Sequence, residues 1–520
     1  MLTNFKSLFQ SASSSSGRRQ PANLLGLDRL DDRLVPTVVF RPHFGAETIA
    51  PGSTNDALTS PAVQLIFAGS YWNTAIGSQD RATIISQTQN LVGGTYLSAL
   101  SQYGGDGKAT LGTNYTDATG IAGGFSTTGL QTYLQGQITS NPVTPFPVKA
   151  VTAANTNIYV VITPPGESSG ISAAGYNIPL NYTMPAFLGG RNQIINAVWC
   201  GTSATATGAV NMSEWGSVMS HELAEVISDP NQTGIGIIPP TGLPANLVAS
   251  GRNQIGDNEP AAPRYSYNLN GVVVSPYWSA RVGAYVVPDG NRQNFYVDPV
   301  WTGTGTAARF TGQYDLTVQG DQLGANYNDS ITAGGVSNAS TQTIMNGETV
   351  TFKSGQIRNL NVDTGGGWNT TNVNFAEAGE TVNVRSSGGL AAGNYALSHD
   401  TVNLGGGYMS DIAGTVNVSN SSGTSSTFAD DSKDTTGRTV HYTDHSINFS
   451  GSGAVNYDAG YTTNDGSRRG VTAASFWLGS GRDTVYVDSV NPLVNSFSLA
   501  QASDVYIGAA VGRLSRFNIG

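Results

Sequence analysis

Ser220-His221-Glu222-Leu223-Ala224-Glu225-Val226-Ile227-Ser228-Asp229-Pro230 joins an apolar stripe to an imidazole and three acids. Read as a helix, the stretch sets His221 and Glu225 one turn apart on a shared face, so that a single metal ion can take two ligands from it. Glu222 then stands about a quarter of a turn away, where a general base acts on a water beside the ion. Asp229 lies at the helix end, and Pro230, which lacks an N–H, stops the helix there. Trp215 and Met219 extend the stripe of Leu223, Val226 and Ile227, so the helix is expected to pack into a core and hold its polar face in one place. The bland alternative is a solvated face carrying ordinary charges.

The stretch is similar to the zincin helix His-Glu-x-x-His, with Glu225 standing where the second His belongs. Zinc accepts carboxylate oxygen as well as imidazole, so a His/Glu/Asp set remains a legal zinc site. Two oxygens among three ligands also suit calcium or another hard ion. The expected cofactor is therefore a divalent metal, zinc before calcium.

Outward from the helix, residues 194–199 read as a strand leading into it, and residues 157–163 as the clearest buried strand, closed by Pro164 and Pro165. Residues 63–69 are an apolar run ending in Gly, another buried strand. Residues 80–103 show helical spacing broken at Gly93-Gly94, and residues 127–138 are a further helix. Strands mixed with helices predict an α+β or α/β domain over residues 37–300, with the zincin-like helix last and ligands converging at element ends.

With 520 residues and 39 % hydrophobic content, the chain can build more than one core. Charged residues make up only 12 % and Gly reaches 65, which predicts strands and tight turns over most of the rest. A net charge of −10 without a basic stripe disfavours nucleic acid and anionic membrane as partners. No stretch approaches the ~20 apolar residues of a spanning helix. Cys200 is alone, so no internal disulfide forms, and its apolar neighbours predict a buried structural thiol.

Residues 1–36 read as a leader without the apolar segment of a standard secretory signal, expected to be disordered. Residues 27–39 resemble a Leu-Glu-x-Arg-x-x-Pro segment found near the start of many large bacterial surface and exported proteins, with Asp32 at the acidic position.

Phe67-Ala68-Gly69-Ser70-Tyr71-Trp72, Tyr96-Leu97-Ser98-Ala99-Leu100-Ser101-Gln102-Tyr103-Gly104, Ile158-Tyr159-Val160-Val161, the His221 helix, Ile255-Gly256-Asp257 and Tyr277-Trp278-Ser279 follow one another in an order that resembles the EXORDIUM (phosphate-induced protein) family and its bacterial relatives, over about residues 60–290. The resemblance implies an exported scaffold and adds Asp257 to His221, Glu225 and Asp229 as a ligand candidate. It also marks two departures: Gln254 where a Glu is usual, and Asn177 in Gly175-Tyr176-Asn177 where relatives often carry His.

From about residue 301 to 520 the chain turns rich in Gly, Asn, Ser and Thr. Short alternating units recur at residues 349–352, 381–384, 401–404, 415–418 and 484–487, which predicts a mostly β domain, either a β-solenoid or a repetitive sandwich of unfixed rung length. Gly479-Ser480-Gly481-Arg482-Asp483-Thr484-Val485 resembles a calcium-binding glycine-rich nonapeptide, and Gly406-Gly407-Tyr408-Met409-Ser410-Asp411 is a poorer copy; plain turns use the same residues. His399, His441 and His445 are expected to be exposed polar positions.

Two functions follow. The first is an exported metal-dependent hydrolase, peptidase-like, with His221, Glu225 and Asp229 or Asp257 on the metal and Glu222 as base. The second is a non-catalytic surface or matrix protein with a structural ion, recognising glycan or a partner through exposed aromatics such as Trp72, Tyr277 and Trp278.

Overall fold

The computed structural model describes residues 37–140, 157–167, 169–170, 174–183, 192–248, 253–260, 265–290, 295–320, 328–334, 340–388, 397–490, 497–500, 504–508 and 517–519. The leader, residues 1–36, lies outside them. The described chain is mostly β.

Five strands form the sheet nearest the His221 helix: β1 (Ala62–Ala68), β2 (Thr110–Asp117), β3 (Asn157–Ile162), β4 (Gly175–Thr183) and β5 (Asn192–Cys200). Their order is β2-β1-β3-β5-β4, with β4 alone antiparallel to its neighbour. Helix α1 (Ala75–Gly93) crosses from β1 to β2, and α2 (Thr127–Ser140) lies between β2 and β3. Parallel neighbours need such crossovers, whereas β4 and β5 can pair antiparallel. The interruption read at Gly93-Gly94 ends α1, and a 3-10 turn, Ser98–Tyr103, follows.

Side-chain alternation divides the sheet between two layers. Ile66, Tyr159, Val161, Ala197 and Trp199 pack with Phe125, Leu130 and Leu134 around α2. Leu65, Phe67, Val160, Val198 and Cys200 face the other way, into the core that holds Trp215, Met219 and Leu223 of α3 (Met212–Ser228). Cys200 is buried, and burial pushes its thiol pKa up. It is a packing residue.

Asn211 caps the start of α3 by accepting from Glu214 N–H, and Pro230 opens a 3-10 turn just beyond its end. The helix is pinned from behind. The Tyr96 hydroxyl donates between Ser275 O at 2.7 Å and Ser220 O at 3.1 Å, while Ser275 N–H donates to Ser220 Oγ. Tyr96→Phe is expected to destabilise the protein by about 1–2 kcal/mol in denaturant unfolding, because two buried carbonyls lose their donor.

Trp72, Tyr277 and Trp278 are not exposed, contrary to expectation: each is at most 1 % accessible. Trp72 Nε1–H donates to Ala68 O and Tyr277 OH to Tyr96 O, so these two polar tips are satisfied inside the core. The three aromatics cannot serve as a recognition surface.

Thr37–Phe40 lies between Ala284–Pro288 and Phe295–Thr302 in a second sheet, which continues through Arg309–Gln319 into the carboxy-terminal region. There the chain alternates between two ladders. Ile357–Asp363, Thr381–Ser386, Thr415–Asn420 and Val455–Tyr457 pair parallel in one ladder. Gly367–Val373, Ser398–Leu404, Thr424–Asp430 and Arg468–Trp477 pair parallel in the other. Valines 382, 384, 416 and 418 point inward. Asn361, Asn383, Asn417 and Asn456 form a side-chain ladder with bonds of 2.9, 2.9 and 3.1 Å between residues 22, 34 and 39 apart. The unequal spacings are why no repeat length is readable from the sequence. His441 and His445 are exposed and His399 is half-buried.

A candidate metal centre

His221, Glu225 and Asp257 form a largely buried group that could hold a metal ion: one ligand atom from each lies within 4.8 Å of the others. His221 Nε2 stands 3.2 Å from Glu225 Oε1 and 3.9 Å from Asp257 Oδ1. A tetrahedral ion with ligands at ~2.1 Å needs about 3.4 Å between neighbouring donors, and the two distances bracket that value. His221 and Asp257 side chains are 16 % and 18 % accessible, so the group can be reached from solvent.

The helix supplies the first pair through its four-residue periodicity. Asp257 arrives on a loop whose course is tied down at several points. Trp278 N–H donates to Ile255 O at 2.7 Å, Gln254 N–H to Asp257 Oδ2 at 2.8 Å, and Ile237 N–H to Asn253 O. Gly256 lets the loop lie on the helix: a Cβ there would meet His221 Nδ1 at 2.7 Å and Glu225 Oε1 at 3.0 Å.

Asn177 on β4 is the hub of the inner wall. Its Nδ2 lies 2.8 Å from Glu225 Oε2, 3.0 Å from Glu222 Oε2 and 3.2 Å from Gln254 Oε1. One amide nitrogen carries two hydrogens, so these three acceptors compete for them. Gly175, two residues earlier, leaves room for Glu222; a Cβ there would fall 2.6 Å from Glu222 Oε1. Asp229 reaches the cluster indirectly, accepting from Gln254 Nε2 at 3.2 Å, and stands outside the group of three. Asn177 and Gln254 thus carry the hydrogen bonds of the site. Their spacing from the helix in sequence held no sign of this role.

Burial pushes the Glu222 carboxyl up to about 8, with Asp257 adding repulsion, and holds Asp257 itself at about 6. Glu225 is pushed well up by burial and by the charges of Asp257, Glu222 and Asp229. Glu225 Oε1 is buried with no hydrogen-bond donor and faces the imidazole nitrogen. An acceptor in that position suits a cation, and a nitrogen with two oxygens is a donor set that zinc accepts.

No family model, curated protein or solved structure matches this chain.

Proposed function

We propose that the protein is a metal-dependent hydrolase of the peptidase type, with His221, Glu225 and Asp257 as ligands of a zinc ion and Glu222 as general base. The convergence of three donor atoms within 4.8 Å of one another, with the two spacings to His221 Nε2 near those of a tetrahedral zinc site, carries the reading. A bound divalent ion supplies Lewis-acid polarisation of a carbonyl and lowers the pKa of nearby water. Asn177 orients the carboxylates of Glu222 and Glu225 together. With a cation held by His221, Glu225 and Asp257 and its own pKa thereby lowered, Glu222 would serve as the general base that takes a proton from water and passes it to the leaving amine.

The edge of the five-stranded sheet favours an extended peptide as substrate. Gly201 N–H donates to Ala174 O, which sets the phase of the β4–β5 ladder: Tyr176 and Ile178 bond β5, while Gly175, Asn177, Pro179 and Asn181 turn their backbone outward. Pro179, with no N–H to offer, fits an outward position, and Asn181 O is taken by Gln131 and Gln135 of α2. Among the described residues no strand pairs that edge. A peptide added there would run past Asn177 and the metal ligands.

The carboxy-terminal region reads as a β-solenoid that presents or anchors the first, supported by its two alternating parallel ladders. The EXORDIUM resemblance and the segment at residues 27–39 support an extracellular or cell-surface setting. Among the described residues no helix is long and apolar enough to cross a membrane. The second reading keeps the ion but not the chemistry: a surface or matrix protein whose metal is structural, favoured by the depth at which Glu225 lies, 2 % accessible.

Zinc content and peptide hydrolysis of the full-length protein separate the two. The hydrolase reading expects about one zinc per chain at the site, and a kcat for Glu222→Gln lowered by ~10²-fold or more with zinc retained. Equal rates for Glu222→Gln and wild type would leave the structural reading.

A further inference from the structure

We propose that the outward face of the ladder formed by Gly367–Val373, Ser398–Leu404, Thr424–Asp430 and Arg468–Trp477 binds a neutral polysaccharide, with the indoles of Trp368 and Trp477 stacking on its sugar rings. The strands pair parallel, so the side chains that alternate away from the buried Val402, Leu404 and Ala429 form cross-strand rows on one surface. Trp368 is 68 % accessible and Trp477 49 %. One face of the Trp368 ring stacks on the His399 imidazole at 4.5 Å, and His399 Nδ1 is in turn 3.1 Å from Thr424 Oγ1. The indole is held in place with its other face toward solvent. Trp477 is braced by Phe428, edge to face at 4.8 Å. Strand rise and spacing set the two indoles about 25 Å apart across the surface, a span of several sugar rings.

The side chains between the indoles select the occupant. Thr370, Thr401 and Ser426 stand in one row, and Asn372 and Asn403 in the next. Thr401 and Ser426 are exposed. Asn403 Nδ2–H donates to Asn372 Oδ1 at 2.8 Å, which orders both amides and leaves the Asn372 N–H groups and the Asn403 carbonyl oxygen to a ligand. Hydroxyls and amides that donate and accept match the hydroxyl rim of a sugar, and an open indole matches the apolar C–H face of a pyranose ring. A protein partner asks for an apolar centre, which these rows lack. Fixed charge enters this face at its rim, where Asp430 pairs opposite Trp477 and Arg468 begins the fourth strand, so a charged polymer finds no complement between the rings. Binding here is independent of the metal centre, and it gives the carboxy-terminal region a polymer on which to anchor the first.

The test is retention of the full-length protein by microcrystalline cellulose and by chitin, two uncharged polymers whose sugar rings present flat C–H faces, with polygalacturonate as the acidic control. Retention by at least one of the neutral polymers is expected, and it should persist in about 1 M salt, where charge attraction is screened. Trp368→Ala and Trp477→Ala are each expected to weaken it ~10-fold or more, the loss typical of a truncated Trp anchor. Circular dichroism and Tm should stay unchanged, since both indoles lie at the surface; where one variant does not fold, the other serves for the same comparison. Retention by neither neutral polymer, retention that survives both substitutions unchanged, or binding to polygalacturonate alone overturns the proposal. A concentration-dependent dimer that Trp368→Ala abolishes, in protein that neither neutral polymer retains, assigns the face to a second copy of the chain instead.

Discussion

His221→Ala, made in the full-length protein, is expected to lower affinity for zinc by more than the ~10- to 100-fold typical of outer-shell substitutions, and to abolish zinc-dependent hydrolysis. The imidazole provides the one nitrogen of the donor set, and its Nε2 faces both acids at 3.2 and 3.9 Å. Without it two carboxylates remain, a pair that hard ions tolerate and zinc holds poorly. The fold should survive, since the His221 side chain is partly accessible and the helix is fixed by Trp215, Met219 and Leu223 on its other side. Zinc titration by calorimetry, with circular dichroism as a check on folding, measures both consequences. Unchanged zinc affinity in a folded His221→Ala protein contradicts the ligand assignment.

The second large effect is a dependence of stability on pH that zinc reverses. In the metal-free protein Glu222, Glu225 and Asp257 all titrate above their ordinary values because they are buried together. The folded chain therefore binds more protons than the unfolded one between the ordinary carboxylate range and about 8. Its stability is greatest below the unfolded pKa values and declines as pH rises through the folded ones, first through that of Asp257 at about 6 and then through that of Glu222 at about 8. Each tenfold tightening of proton binding on folding is worth about 1.4 kcal/mol, so the total decline reaches several kcal/mol. Glu47, raised to about 8 by its own burial beside Asn258, adds a slope of the same sign. Zinc replaces the protons on Glu225 and Asp257, so stabilisation by zinc should grow as pH rises from about 5 to 8. Denaturant unfolding across that range, with zinc and with chelator, gives the difference curve, in which the slope from Glu47 cancels. A zinc effect independent of pH, or one that shrinks as pH rises, is incompatible with ligation by these carboxylates.

The local elements were legible in the sequence because their causes are local. The apolar stripe from Trp215 to Ile227 and the stop at Pro230 mark α3, and the run at residues 157–163 marks β3. His221 and Glu225 share a face because four residues make about one helical turn, whatever the helix packs against. The alternating Thr-Val-Asn-Val units identify strands of the carboxy-terminal region for the same reason, period two on a pleated surface. Tertiary structure alone decided the rest. Asn177 and Gln254 stand 45 residues before and 32 residues after Glu222 in the numbering, and only the β4–β5 pairing and the Ile255–Trp278 bond bring them against the helix. Trp72, Tyr277 and Trp278, expected as exposed aromatics of a recognition surface, are core, where the polar tips of Trp72 and Tyr277 find backbone partners. Strand pairing depends on which edges meet, a long-range choice that no window of sequence contains.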